Sequence, residues 1–490
     1  MILAVDLGSS QLKLLAMDGL GNTKKVCTAP YRTFTPRPGW LEQKPEDWKK
    51  ALQSGLKELA QEIDLNQVDV ISFSGHMSGV VLVDGEMEPL YPCIMLSDLR
   101  SSQECRILAE TVGEEIRKLT GNPVIQAFSL PKLLWLKEKE KEIYEKAAAW
   151  LSPKDYLRGC LTGKAETEAT DAFNSLCVDP ESRTWEEEII RKTGLRRSLF
   201  PAIHEPYEEA GTVTREASTW SGLKEGTKVV YGAADMACGA VGNGLFQTGD
   251  STLTLGTCAT FLAMTESVPE SEFGKITFHT HALPGKMYAL GSHFNGGLVV
   301  NWISGMLSGS GEADYKLVGV LSEEASQIPP GSQNVLTIPF LAGSGSPYYN
   351  DRDRGVILGI QTAVTRGVLF RSMLEGVSCN LRQTLEIFEK IQGRALERIV
   401  LGGGGVKVRL WPEIIKDMFN RPLLEAENSD ASAVGAGLIG GYGQGIFKDL
   451  EKVAREQLTI KRTLEPQTDN VKIYASLYQR YLDAYSRLQF

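Results

Sequence analysis

The feature that most constrains this chain is its first seventeen residues. Ile2-Leu3-Ala4-Val5 is a short apolar run, Asp6 closes it, Gly8-Ser9-Ser10 supplies small turn residues, and apolar alternation resumes from Gln11 to Met17. This pattern predicts a β-hairpin with an acid at the carboxyl end of its first strand. Amides and two hydroxyls at such a turn can approach phosphate oxygens, and a carboxylate beside them can hold magnesium through water. A plain hairpin whose Asp caps its own turn accounts for the same residues. The functional reading gains from a partial echo, Thr252-Leu253-Thr254-Leu255-Gly256-Thr257-Cys258-Ala259-Thr260-Phe261-Leu262-Ala263-Met264. Both stretches read Leu-Gly, two small residues, then a strand ending Leu-Ala-Met. The repeat predicts a duplicated domain, each copy offering a phosphate loop to one cleft between them.

A chain of 490 residues is long enough for each half to bury its own core. The net charge of -9 and the absence of a dense Lys/Arg run argue against nucleic acid as a partner. Eight cysteines, at 27, 93, 105, 160, 177, 238, 258 and 379, form no Cys-x-x-Cys pair and read as reduced thiols. No basic leader precedes a long apolar segment, and no uninterrupted apolar run approaches the roughly 18 residues of a membrane span. These features predict a cytoplasmic protein without a membrane partner. Glycine, 49 residues in all, gathers at 232–256, 291–311, 343–359 and 402–445, where ligand loops are expected.

Between the glycine clusters, spacing predicts helices from Lys44-Pro45 through Ala60, over 102–119, 131–147 and 185–193, and over 364–390. A strand from Val68 to Ser74 runs into Gly75-His76-Met77-Ser78-Gly79, with Val80 to Asp84 expected as its hairpin partner. Ligands of open α/β domains sit at the carboxyl ends of strands, so His76, Met77 and Ser78 are candidate substrate contacts; a tight turn with a packed Met is the alternative. Asp98 and Arg100 stand just beyond an apolar strand. Ser152-Pro153 opens a capped helix, and Thr167 to Phe173 is expected as a loop reaching the cleft. Lys137 to Glu142 is a solvated helix face.

Val229 to Tyr231 is a strand that enters Gly232-Ala233-Ala234, and Asp235 begins a helix of small residues. Asp suits that cap, yet small neighbours also leave room for a substrate hydroxyl against its carboxylate, making Asp235 a candidate general base. His279 and His281 lie on one side of a strand, but no carboxylate or thiol completes a metal set, so they read as structural. Gly402 to Gly405 follows the strand Arg398–Leu401 and precedes a helix, an arrangement open to a base or a phosphate. Ala433 to Gly440 contains G-x-G-x-x-G, yet no strand is expected before it, and its small residues suit a closely packed helix.

Taken together, Asp6-Leu7-Gly8-Ser9-Ser10, Ser152-Pro153-Lys154-Asp155-Tyr156-Leu157, Gly232-Ala233-Ala234-Asp235, Leu255-Gly256-Thr257, Gly403-Gly404-Gly405 and Ala433-Val434-Gly435-Ala436-Gly437 resemble the FGGY family of carbohydrate kinases, most closely its xylulokinase branch. The resemblance spans nearly the whole chain. It implies an α/β protein of two actin-like (ribonuclease H-like) domains with a cleft between them, residues 1–243 binding sugar and 244–490 binding nucleotide. It implies ATP and Mg2+ as cofactors and phosphoryl transfer to a primary hydroxyl of a small sugar, D-xylulose foremost. By the same resemblance Asp235 is the general base and Asp6 the magnesium-linked acid. Ser9, Ser10, Lys13, Gly256 and Thr257 fall to the phosphates, and Gly404, Gly405 and Arg409 to the adenosine. His76, Met77, Ser78, Asp235 and Met236 fall to the sugar.

The sugar pocket departs from the branch, which reads Gln-Met-His-Gly where this chain has His76-Met77-Ser78-Gly79, and Asp-Asn where it has Asp235-Met236. Two hydroxyl-binding groups are thereby lost, which leaves another ketose, a polyol or a sugar acid as alternative substrates. A nucleotide switch of the actin or Hsp70 type shares the hairpins but lacks a sugar pocket, and a nicotinamide oxidoreductase rests on the glycine patterns alone. The sequence gives no oligomeric state and is compatible with a homodimer.

Overall fold

The computed structural model describes residues 1–427 and 430–488. The chain divides into two compact units, the first made of Met1–Phe246, Phe278–Met287 and Asp430–Leu458. The rest of the described chain forms the second. Three segments that a cut after residue 243 gives to the later domain, 244–246, 278–287 and 430–458, therefore pack in the first unit. The physical reason for one of them is its small residues, taken up below.

The first unit is built on a seven-stranded sheet. Its strands are β1 (Ile2–Leu7), β2 (Gln11–Met17), β3 (Thr23–Pro30), β4 (Val70–Gly75), β5 (Glu209–Thr212), β6 (Lys228–Val230) and β7 (Ala233–Ala234). The order is β5-β6-β4-β1-β2-β3, with β7 also paired to β4. The predicted hairpin is present: β1 and β2 run antiparallel and close at Leu7 opposite Leu12. β1 is parallel to β4, with Asp6 beside Ser74. Because both neighbours of β4 are taken, it carries a continuous buried run rather than an alternating one.

That occupancy corrects one expectation. Val81–Val83 is not the hairpin partner of β4; it pairs antiparallel with Ala149–Leu151. With β1 on one edge of β4 and β6 and β7 on the other, no edge remains for Val81 to join. The stretch Thr167 to Phe173 is likewise not a loop but a short strand, Thr167–Glu168, and a helical turn, Ala169–Phe173. The Glu168 carboxylate caps that turn, accepting from the amides of Thr170 at 2.7 Å and Asp171 at 3.0 Å.

The helix Pro45–Leu59 lays Trp48, Leu52, Leu56 and Leu59, all fully buried, into the same core as Leu12, Leu14, Ile71 and Phe73. The helix Ala431–Gly443 packs on β1 and β4 and on the helix Asp235–Gly242. A methyl group at Gly435 would stand 1.9 Å from the Cys238 carbonyl, and one at Gly242 would stand 2.0 Å from that of Ala431. Of the G-x-G-x-x-G glycines, Gly435 thus serves backbone-to-backbone helix packing, while Gly437 and Gly440 make room for the side chains of Met17 and Ser72. A strand, Leu423–Ala426, does precede the pattern, contrary to expectation, but the glycines lie inside the helix. The run predicted as one helix over 102–119 is two, Ser102–Thr111 and Gly113–Thr120, and the long C-terminal-half helix is Arg366–Gln392.

The second unit repeats the plan. Its strands include β8 (Asp250–Leu255), β9 (Ala259–Thr265), β10 (Met287–His293), β11 (Arg398–Gly402), β12 (Leu423–Ala426) and β13 (Ile460–Leu464), in the order β10-β9-β8-β11-β12-β13. β8 is antiparallel to β9 and parallel to β11, while β12 is parallel to β11 and antiparallel to β13. In the first unit β1, β2, β4, β6 and β5 stand in the same relations. Each unit is an α/β domain of the actin-like (ribonuclease H-like) kind, so the echo between two hairpins extends to whole sheets.

Candidate functional site

In the first unit β1, β4 and β7 run parallel and end side by side, because Asp6 is level with Ser74 and Ala233 is level with Ser74. Asp235 follows directly on β7 and opens the helix Asp235–Gly242. Its Oδ1 accepts the Met236 amide at 2.9 Å, and the Met77 amide also bonds the carboxylate. Burial pushes the Asp235 carboxyl up to about 8, with the negative charges of Asp6 and Asp171 adding to the effect. Met77 therefore reaches Asp235 through its backbone.

Asp6 is also shifted upward, chiefly by burial, with Ser74 and Lys13 opposing and Asp430 adding to the rise. Lys13 stands opposite Asp6 in the β1–β2 register, and its Nζ lies 2.5 Å from Asp430 Oδ1. Ser9 and Ser10 are exposed at the tip of the hairpin. His76 is buried edge-on to Trp48, 5.8 Å between ring centres, and burial lowers it to about 4, so the imidazole is neutral. Neither its ring nitrogens nor the Ser78 hydroxyl has a hydrogen-bond partner among the described residues. Ser78 sits at φ 64°, a conformation that costs a non-glycine residue energy and often marks a ligand site.

Lys154 and Asp155, which lie in one of the family motifs, and Glu168 and Asp171, in the stretch expected to reach the cleft, form a charged cluster beside this site whose pairing the sequence reading did not give. Lys154 Nζ lies 2.7 Å from Asp155 Oδ1, 3.0 Å from Glu168 Oε1 and 3.1 Å from Asp171 Oδ2, all buried. Burial pushes Asp171 up to about 7 against the pull of Lys154. Thr170 Oγ1 accepts the Ala234 amide at 2.8 Å and so ties this cluster to the residue before Asp235. The signal was present: an acid pair at 168 and 171 and a lysine directly behind the Ser152-Pro153 cap. Asp98 and Arg100 simply find each other, 2.8 Å apart and buried, with the guanidinium 3.9 Å over the Trp40 ring.

In the second unit the turn Gly256-Thr257-Cys258 closes the hairpin of β8 and β9, with Thr257 exposed. Thr254 is level with Gly402, so the glycine run begins beside it. Gly405 packs on Leu255, where an added methyl would stand 2.7 Å from the leucine Cβ, and the structure thus gathers Gly256, Thr257, Gly404 and Gly405. Arg409 stands exposed at the start of the helix Leu410–Phe419. A further partner escaped the sequence reading: the helix Gly297–Ser308 begins on this turn, its Gly297 amide donating to the Gly256 carbonyl at 2.7 Å and its Leu298 amide to that of Thr257 at 2.9 Å.

His279 bonds Asn174 Oδ1 through Nδ1 at 2.8 Å, and His281 Nδ1 accepts the Leu283 amide at 3.1 Å. Burial pushes both down to about 3, so they are neutral and structural. Among the described residues no three His, Cys, Asp or Glu side chains form a metal-binding group, and no helix is long and apolar enough to cross a membrane.

Comparison with known proteins gives these features a setting. Residues 1–242 match the N-terminal domain, and residues 252–443 the C-terminal domain, of the FGGY family of carbohydrate kinases. The xylulose kinase of Lactococcus lactis subsp. lactis (strain IL1403) is 32% identical over 99% of this chain and 96% of its own length. That of Bacillus subtilis (strain 168) is 30% identical over the same shares. The crystal structure of xylulose kinase from Rhodospirillum rubrum superposes with a TM-score of 0.90 at 26% identity, covering 99% of this chain and 98% of that one. The chain belongs to the FGGY family of carbohydrate kinases and is a phosphotransferase with an alcohol group as acceptor.

Proposed function

We propose that this protein transfers the γ-phosphoryl group of ATP to a primary hydroxyl of a small sugar, D-xylulose foremost, giving D-xylulose 5-phosphate. One observation carries the reading: a carboxyl held up to about 8 at the ends of three parallel strands, gripped by two backbone amides. Such a group binds a proton tightly enough to take it from an alcohol near neutral pH. Phosphoryl transfer asks the protein for alignment and charge neutralisation more than for covalent help. Asp235 accepts the hydroxyl proton, and His76, Ser78 and Met236 line the sugar. Ser9, Ser10 and Lys13 in the first unit, and Gly256, Thr257, Gly404, Gly405 and Arg409 in the second, serve the nucleotide.

The donor set suits magnesium, which is commonly held by one or two carboxylates together with phosphate oxygens. Asp6, at a strand end with Lys13 and Asp430 nearby, would hold it. When bound, magnesium supplies neutralisation of phosphate charge. A reaction that draws on ATP, together with eight free thiols, supports a cytoplasmic setting.

The unpartnered His76 and Ser78 and the apolar Met236 favour a second reading, in which the acceptor is a different ketose or a polyol. A coupled ADP-release assay across ketopentoses, polyols and sugar acids decides between them. D-xylulose should give the highest kcat/KM; ADP release that no sugar accelerates would overturn the kinase reading.

A further inference from the structure

The turn Gly8-Ser9-Ser10 is held from behind at every carbonyl. The Tyr31 hydroxyl donates to Gly8 O, Gln43 Nε2 donates to Ser9 O at 2.7 Å, and the Tyr31 amide donates to Ser10 O at 3.2 Å. In a trans peptide the carbonyl and the following N–H point in opposite directions. Pinning the Gly8 and Ser9 carbonyls inward therefore turns the Ser9 and Ser10 amides outward, and neither donates to a described residue.

Gln43 is the centre of this clamp, and its own orientation is determined. It is fully buried, as is Trp48. An indole N–H can only donate, so the Trp48 Nε1 contact at 3.1 Å assigns the facing amide atom as Oε1. Both Nε2 hydrogens are then directed at Ser9 O and at Thr33 Oγ1, the latter at 2.9 Å. Every polar atom of the Gln43 side chain is satisfied, and each bond fixes the next. Trp48 also touches His76, so one buried side-chain chain runs from the turn to the imidazole.

The second unit meets the same need with backbone alone. Its Gly256 and Thr257 carbonyls are held by the Gly297 and Leu298 amides at a helix start. The first unit holds the corresponding Gly8 and Ser9 carbonyls with the side chains of Tyr31 and Gln43.

We propose that Gln43 is a positioning residue of the Gly8-Ser10 turn, aiming the Ser10 amide at the nucleotide's phosphates while Tyr31, through Gly8 O, aims that of Ser9. This rests on the reading of that turn as a phosphate loop. Gln43→Met keeps the volume and removes both donors. Gln43→Glu keeps an acceptor for Trp48 and replaces the donor facing Ser9 O with an oxygen, and so gives a second variant should the first fold poorly.

Calorimetric titration of the apoenzyme with magnesium–ADP, and separately with sugar, is the test, with unfolding midpoints recorded for each variant. In both variants ADP affinity should fall by about tenfold or more, the loss of one well-placed charge-assisted bond, while sugar affinity stays within about twofold. Trp48→Phe, which frees the amide to flip, should fall between wild type and Gln43→Met. A folded Gln43→Met with wild-type ADP affinity, or one losing ADP and sugar affinity equally, overturns the assignment of Gln43. Wild-type protein that binds no magnesium–ADP overturns the phosphate-loop reading itself.

Discussion

Replacing Asp235 by Asn should make the protein more stable while removing its turnover, and the gain should depend on pH in a definite direction. In the unfolded chain the carboxyl ionises near pH 3.9; in the folded protein it is pushed up to about 8 by burial beside Asp6 and Asp171. Between those values the native state holds the extra proton, so stability falls as pH rises through the window and levels off above about 8. At about 1.4 kcal/mol per pH unit, the full shift corresponds to roughly 6 kcal/mol. Asp235 is partly exposed, and solvent screening leaves about 2 kcal/mol as the expected effect. Asn cannot ionise, so the difference between variant and wild type should be near zero at pH 4 and grow toward pH 8.5, reaching roughly 2 °C in unfolding temperature. Scanning calorimetry across that range measures it. Over the same range turnover of Asp235→Asn should lie about 100- to 10,000-fold below wild type. A pH-independent difference, or a variant less stable than wild type at pH 8.5, would refute the argument that burial holds a charge-averse carboxyl at this position.

Wild-type kcat/KM for the sugar should rise with pH toward a plateau above about 8, because the base must be ionised; His76, lowered to about 4, contributes no titration between pH 6 and 8. A profile flat from pH 6 to 9 would remove Asp235 from that role. Lys154→Met should destabilise the first unit by about 3–5 kcal/mol in urea titrations, since it takes the shared cation from three buried carboxylates and leaves Asp155 with Arg158 at 3.8 Å; a loss below about 1 kcal/mol would mean the cluster sheds its charge by protonation. Gly435→Ala forces a methyl into the Cys238 carbonyl and should cost about 1–3 kcal/mol. It should also lower kcat, because the partner helix begins at Asp235, whose carbonyl accepts the Ser432 hydroxyl at 3.0 Å; unchanged stability and turnover would show that the helices can separate freely.

What could be read in the sequence was what is encoded locally. The hairpin at Asp6, its counterpart at Gly256, the acid opening a small-residue helix at 235 and the glycine run at 402–405 each depend on neighbours within about ten residues, where turn chemistry and strand period are decisive. Choice of strand partner was less legible. Val81–Val83 has the composition of a partner for Val70–Gly75, but whether that strand has a free edge depends on β1, β6 and β7, drawn from residues up to 160 positions away. The same holds for Lys154 with Glu168 and Asp171, ordinary polar residues in sequence that become a buried ion cluster only once two helix caps face each other. Gln43 was invisible for a further reason: its role lies in donating two hydrogen bonds to one turn and its partners, and no residue spacing reports that.

Phosphorylation of the terminal hydroxyl of a small sugar, with Asp235 as the base, leaves a directly observable product. Phosphorus NMR of the product formed from ATP and D-xylulose tests it most directly, run in parallel on wild type and Asp235→Asn. A phosphomonoester coupled to the terminal methylene protons should form with the wild-type protein and none with the variant over the same interval. Ester formation at equal rates by both proteins, or release of inorganic phosphate alone, would contradict this reading.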